Sequence, residues 1–363
     1  MSDLNSKENL KITYFLGAGA SYNSIPIWKG QGESMINGAN WVIDLIKNNV
    51  TVKQEFPKLS NNSILIDFFT KLKYYGILAI EYGSIDIYAK RLYLLNQNSE
   101  LNELKKCLSV YFDLWENFLH EKYHLYMGTD VFQNDRVKYV KIDKRYLALL
   151  SVILEKGNNF PAINPNISFV TWNYDLQLES AFESFLPRKS ISLEDTNKYL
   201  NFMSSEVNSG RKEVLHLNGF RGYFSEANKT FDTVERKNCS TIEDYLNGFL
   251  QNYTQFKNPD YNNSIKYAWE LSSESLRIAK EIMGNTNILI IIGYSFPAFN
   301  RAIDSQLIKE FENGEGHKEV IYQDPGANQD IVNSLFSESM KVKLLKENTN
   351  QFYIPHEFLF SSL

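Results

Sequence analysis

Short apolar runs, each closing on glycine, asparagine, aspartate or serine, recur along the chain. They read as strands at Ile12–Ser21 (ITYFLGAGAS), Ile167–Asp175 (ISFVTWNYD), Glu213–Gly219 (EVLHLNG), Asn287–Pro297 (NILIIIGYSFP) and Lys318–Gly326 (KEVIYQDPG). Continuous rather than alternating hydrophobicity is the mark of strands covered on both faces, so these segments predict a parallel α/β sheet. Between the first two runs the period changes to that of helices. Met35–Asn48, Ile64–Tyr82, Ile85–Leu95, Leu101–Leu125 and Tyr146–Leu154 are the candidates. Leu104, Leu108, Phe112, Trp115 and Leu119 mark one apolar stripe. That is more helix than one crossover needs, which predicts a helical cap. A second insertion, Arg188–Gly284, starts polar and ends in a predicted helix at Ile265–Met283.

Length alone, 363 residues, suggests two domains or one elaborated domain. The polar closing residues change that picture. Ligands of open parallel sheets bind outside the carboxyl ends of the strands, so the first and last runs belong to one nucleotide-binding domain. The predicted organisation is a discontinuous Rossmann-like domain (1–33 and 160–363), a helical cap insertion (34–159) and a second, partly helical insertion (188–284). The 38 basic and 43 acidic residues leave a formal charge of -5, which gives no indication of nucleic-acid binding. Two cysteines, Cys107 and Cys239, are too few for a four-cysteine zinc module or a disulfide framework. The beginning, MSDLNSKENL, lacks an apolar targeting core, and the strongest apolar run, Ile288–Gly293, is far shorter than the ~20 residues that span a bilayer. These features predict a cytoplasmic protein without a membrane anchor.

Gly17, Ala18, Gly19, Ala20 and Ser21 follow the first strand directly, where small residues let backbone approach a pyrophosphate. A P-loop is excluded because no Gly-Lys-Ser/Thr follows, and the dehydrogenase fingerprint fails at Tyr22. A tight turn without ligand is the plain alternative. The segment GAGASYNSIPIWKG resembles the opening of the sirtuin family, with Ile25 and Pro26 retained. The family's acid after the proline is replaced by Ile27, and an aromatic and a cation follow at Trp28 and Lys29. Thr171–Asp175 (TWNYD) resembles the sirtuin T-Q-N-I-D turn. The resemblance implies that Asn173 contacts ribose and positions water, and that Asp175 orders the nicotinamide pocket. As plain turn residues, Asn173 and Asp175 would instead shape the loop, with Asp175 capping the next helix. Sirtuins carry a catalytic histidine directly before a glycine in the third strand. Here Asn218 stands before Gly219, and His216 lies two residues earlier on the same strand face. Either His216 is the base after a local register shift, or Asn218 holds ligand and the base is missing.

Gly293 and Ser295, within GYSFP, resemble the sirtuin turn that contacts phosphate and ribose. With Asn300 and Arg301 the segment is similar to divergent prokaryotic sirtuin-like proteins of phage defence. Asp324, or Gln323 beside it, stands where dinucleotide folds hold the adenosine ribose. Without a zinc ribbon the resemblance argues against a deacetylase. It implies instead an NAD-consuming hydrolase that cleaves the nicotinamide–ribose bond, with NAD as substrate, no metal, and Trp28 covering the nicotinamide. A catalytically silent NAD or ADP-ribose sensor and an ADP-ribosyltransferase are the competing readings. The resemblance further implies homo-oligomers and a partner in trans, such as a HerA-type ATPase or a separate phage or nucleotide sensor.

Overall fold

The computed structural model describes residues 10–120, 139–157, 160–187, 193–202, 212–225, 239–256 and 261–356. Six strands form one parallel sheet: β1 (Ile12–Leu16), β2 (Ile167–Thr171), β3 (Val214–His216), β4 (Ile288–Ile292), β5 (Glu319–Gln323) and β6 (Val342–Leu345). Their order is β6-β5-β4-β1-β2-β3, the doubly wound Rossmann arrangement. β1 is central, with Leu16 in register with Thr171 on one side and Ile292 on the other. The strand order reverses between β1 and β4, the position at whose carboxyl ends open parallel sheets bind their ligands.

The pleat of β1 explains why it reads as an unbroken apolar run. Ile12, Tyr14 and Leu16 face one side of the sheet and Phe15 the other, and all are buried. Burying each such side chain contributes about 1.5–3 kcal/mol. Five helices build the cap: α1 (Trp28–Asn48), α2 (Val50–Glu55), α3 (Ser63–Glu81), α4 (Ile85–Leu94) and α5 (Asn98–Leu114). Side chains of Asn49, Asn62 and Ser84 cap α2, α3 and α4 by accepting first-turn N–H groups. α1 crosses α3 where Gly32 meets Gly76; a Cβ on Gly32 would lie 2.8 Å from the Gly76 carbonyl oxygen. On the Tyr14 face of the sheet lie α6 (Lys144–Ile153), α7 (Gln177–Glu183) and α8 (Leu193–Leu200). α9 (Ile242–Phe256) joins the cap, where Phe249 packs 5.0 Å from Phe68. The Phe15 face is covered by α10 (Ser273–Asn285), α11 (Arg301–Asn313) and α12 (Gln329–Leu335).

Two helices differ from the sequence pattern. The stripe expected over Leu101–Leu125 leaves α-geometry at Leu114 and passes into a π turn, Trp115–Leu119; residues 121–125 lie outside the described residues. The helix expected from Ile265 starts at Ser273, because the Ser272 hydroxyl accepts the Ser275 N–H at 3.1 Å and stops the turn from extending backwards. Ile265 and Tyr267 are instead drawn into the cap core. Among the described residues no helix is long and apolar enough to cross a membrane.

Candidate functional site

At the reversal point two turns press against each other. Gly17 N–H donates to the Ile292 carbonyl at 3.0 Å, and Gly19 N–H to the Gly293 carbonyl at 2.8 Å. A Cβ on Gly17 would sit 2.6 Å from the Gly293 carbonyl oxygen, and one on Gly293 would sit 2.3 Å from the Ala20 nitrogen. Gly293 also has φ +60, a conformation that glycine takes without strain. The glycines thus serve the contact between the turns. The edge left open to a ligand is exposed Ala18, with Gly19 and Gly293 half-buried and Ser295 exposed. Ala20 and Ser21 are buried beneath it.

Asn173 reaches across from the end of β2. Its Nδ2 donates to the Gly17 carbonyl at 3.0 Å and lies 3.4 Å from Ser21 Oγ. Because a carbonyl accepts, that atom must be the nitrogen, and only the amide oxygen remains to meet a ligand. Ser21 Oγ donates to Asp175 Oδ1 at 2.9 Å, which also accepts the Gln177 N–H. Burial, reinforced by the Glu116 carboxylate, pushes the Asp175 carboxyl up to about 7. Asn173, Asp175, Ser21 and Gly17 therefore form one connected group.

His216 is placed differently. Its Nδ1 meets the Asn173 main-chain carbonyl at 3.1 Å and its Nε2 the Glu179 carboxylate at 2.9 Å. A carbonyl and a carboxylate both accept, so the ring donates from both nitrogens as an imidazolium. Burial opposes that charge most strongly of any single influence, but the Glu179 carboxylate, the Asn173 carbonyl and the Asp175 carboxylate together outweigh it and hold the imidazole above its usual range. In this arrangement no ring nitrogen is left with a lone pair for proton abstraction. Asn218, directly before Gly219, donates Nδ2–H to the Trp172 carbonyl at 3.1 Å, and among the described residues its buried Oδ1 has no partner. A buried unmatched acceptor costs about 1–3 kcal/mol, so Oδ1 is an atom suited to a donor on a ligand.

Asp324 follows β5 and is half-buried; its Oδ1 accepts the Gly326 N–H at 2.6 Å, and burial raises its pKa. Gln323 is spent on the chain's later segments, through Asn348, Gln351 and Tyr353. Trp28 begins α1, but its side chain, like that of Lys29, lies outside the described residues.

Five buried polar supports, Arg145, Asp143, Asp304, Glu116 and Arg221, were not legible as site residues. Arg145, at the start of α6, makes a bidentate pair with Asp143 and donates Nη2–H to the Gly19 and Ala20 carbonyls at 3.1 and 3.0 Å. Asp143 in turn accepts from the main-chain and side-chain nitrogens of Asn23, both at 3.3 Å. Asp304, at the start of α11, accepts from Trp172 Nε1 (3.1 Å) and the Tyr294 hydroxyl (2.9 Å), tying the turn after β2 to the one after β4. Burial pushes its carboxyl up to about 7. Phe296 within that second turn has φ +51, strained for a bulky residue, and Arg301 holds its carbonyl at 3.1 Å. From the cap, Glu116 pairs with Arg221 behind Asp175. The signals available in sequence were slight: an aspartate before a helix, and single acids in apolar stretches.

Residues 167–345 match the family model described as the SIR2-like domain. The match starts at β2, and β1 with its glycine turn joins that domain by pairing with β2 and β4. Among solved structures, Sir2 in complex with an inhibitor, 2′-O-acetyl-ADP-ribose and a deacetylated p53 peptide is 12% identical, over 100% of this chain and 96% of that chain, at a TM-score of 0.37. A Sir2–p53 peptide–NAD+ complex is 11% identical over 100% and 95%, at a TM-score of 0.38. No curated protein matches the chain. On the SIR2-like domain match, residues 167–345 of the chain are sirtuin-like, and the strand arrangement adds β1 to the same sheet.

Proposed function

We propose that the chain binds NAD across the carboxyl ends of β1 and β4 and hydrolyses its nicotinamide–ribose bond. The observation that carries this reading is the joined set Gly17–Gly19–Gly293 with Asn173 beside it, at the point where a Rossmann sheet reverses order. The printed description of one similar solved structure includes NAD+. Ala18, Gly19, Gly293 and Ser295 would take the pyrophosphate and ribose, and Asp324 the second ribose. Nicotinamide leaves as a neutral pyridine, so no acid need protonate it. Asn173 would receive a hydrogen bond from the attacking water or a ribose hydroxyl through its free amide oxygen. His216, held by Glu179, would fix the Asn173 main chain, and the proton of the attacking water would pass to solvent. Asp175, with its carboxyl poised near neutrality, would order the floor of the pocket through Ser21.

A second reading, NAD or ADP-ribose binding without cleavage, is favoured by Asn218. An amide cannot act as a base at the position before Gly219, and general-base catalysis is worth about 10²–10⁴-fold. The resemblance of GYSFP, Asn300 and Arg301 to phage-defence proteins extends the proposal to NAD depletion in such a system, with homo-oligomers or a partner in trans restraining it. Purified protein mixed with NAD decides between the two: nicotinamide release that disappears in Asn173→Ala supports hydrolysis. Tight calorimetric binding without product supports the sensor. Neither binding nor product removes both.

A further inference from the structure

Two consecutive residues of the π turn reach two segments of the candidate site, the one that follows the glycine turn after β1 and the turn after β2. Trp115 Nε1–H donates at 2.7 Å to the carbonyl of Ser24, three residues beyond Ser21. Glu116 Oε1 accepts at 2.8 Å from the main-chain N–H of Leu176, immediately after Asp175. Both side chains are buried. The π geometry is set by the His120 N–H, which bonds five residues back to the Trp115 carbonyl. Such single turns are common at functional sites because they re-aim neighbouring side chains.

Arg221 completes the grip. Its Nε bonds Glu116, its Nη1 bonds Asp113 on α5 at 2.7 Å, and its own main-chain N–H donates to the Tyr174 carbonyl at 2.8 Å. The pair Glu116–Arg221 therefore holds the peptide on each side of Asp175. The Tyr174 hydroxyl adds a bond to Asp86 of α4 at 2.9 Å. No equivalent strut is needed to hold a helix against a sheet by apolar packing alone. These bonds are directed at main-chain atoms of two loops.

We infer that Trp115 and Glu116 are positioning residues through which the helical cap sets the spacing between the two ligand-binding turns. The affinity part of this statement rests on the NAD reading above; the ordering of the turns does not. A displacement of α5 would move Ser24 and Leu176 together, so a partner docked on the cap would alter the pocket without entering it.

The test compares Glu116→Ala, Glu116→Gln and Trp115→Phe with Cys107→Ala, a buried α5 substitution that touches neither turn. Amide exchange by mass spectrometry reads the turns in the absence of ligand, and calorimetry reads NAD affinity. Glu116→Ala is expected to speed exchange over residues 173–178 well beyond that in α3, and to weaken NAD by about tenfold or more. Glu116→Gln keeps an oxygen for the Leu176 N–H and should recover most of both losses. Trp115→Phe should loosen residues 20–26 and spare 173–178. Exchange raised evenly over cap and sheet, as in Cys107→Ala, would overturn the inference, as would turns that exchange like wild type. If wild type fails to bind NAD while the variants loosen their own turns selectively, the positioning role stands and the nucleotide reading falls. Should Glu116→Ala not fold, the glutamine and phenylalanine variants decide by the same pattern.

Discussion

His216 holds the main-chain carbonyl of Asn173 through Nδ1, at 3.1 Å, while Glu179 occupies its other ring nitrogen. A histidine so placed acts on the position of Asn173. Removing it leaves the Glu179 carboxylate buried without its cation, a loss of about 3–5 kcal/mol. His216→Ala is therefore expected to lower the midpoint of denaturant unfolding sharply. The folded pKa is raised, so the stabilisation is complete below about pH 6.5 and is lost as pH rises through the higher native value. A variant with wild-type stability at pH 6 would show that the pair is not made.

Asn218→His places a titratable ring directly before Gly219, where Asn218 now leaves a buried oxygen unmatched. If NAD is the substrate, nicotinamide release should rise by about 10²-fold or more, with a dependence on pH that wild type lacks. Unchanged or lower release would mean that proton transfer at this position does not limit the reaction.

Gly293→Ala tests the joint between the turns. The added Cβ would meet the Ala20 nitrogen at 2.3 Å, at a φ of +60. The left-handed conformation alone costs about 1–2 kcal/mol for a side chain, before the clash. Unfolding should occur at clearly lower denaturant, and NAD binding should be lost even at low temperature where the variant is folded.

Asp304 gives stability a dependence on pH of a stated sign. Its carboxyl is raised to about 7, so between about pH 4 and 7 the native state keeps a proton the unfolded chain has released. Stability therefore falls as pH rises across that window. Asp304→Asn should narrow the difference between stabilities measured at pH 5 and pH 8, by no more than about 3 kcal/mol. It should also lower stability overall, because Trp172 and Tyr294 both donate to the carboxylate and an amide accepts at only one atom. A pH profile parallel to wild type would sink this account.

Arg145→Met removes the donors that hold the Gly19 and Ala20 carbonyls and leaves Asp143 without its buried cation. Stability should drop by about 3–5 kcal/mol. Proteolysis or amide exchange should locate the loosening in residues 17–23.

What could be read in advance follows from where each signal resides. β1, β2, β4 and β5 were legible because covering on both faces makes their residues predominantly apolar. β6 was not, because its strand is only partly covered and carries Lys343 amid its apolar residues. Gly17, Gly19, Asn173 and Asp175 were legible because each shapes its own stretch of backbone. Arg145, Glu116 and Asp304 were not, since their meaning lies in carbonyls and N–H groups reached from distant parts of the chain. His216 could be placed on a strand facing Asn218, but nothing in its neighbourhood announces that Glu179 of α7 takes its second nitrogen. The glycines were found for a reason that shifted: they let two turns touch, and the ligand edge lies beside them.

The central position of β1 has a consequence for how the molecule is made. Ile12 pairs with Ile167 on one side and with Ile288 on the other. During synthesis β1 leaves the ribosome before the other strands of the sheet, yet the edge that pairs with β4 has no partner until more than 270 further residues have followed, about the separation of Ile12 and Ile288. Until then it is an unpaired strand edge of the kind that recruits other chains. The cap helices α1–α5 rely on contacts close in sequence and can assemble early. The glycine turn cannot close until Gly293 has emerged, so the joint between the turns after β1 and β4 is among the last features of the fold to form.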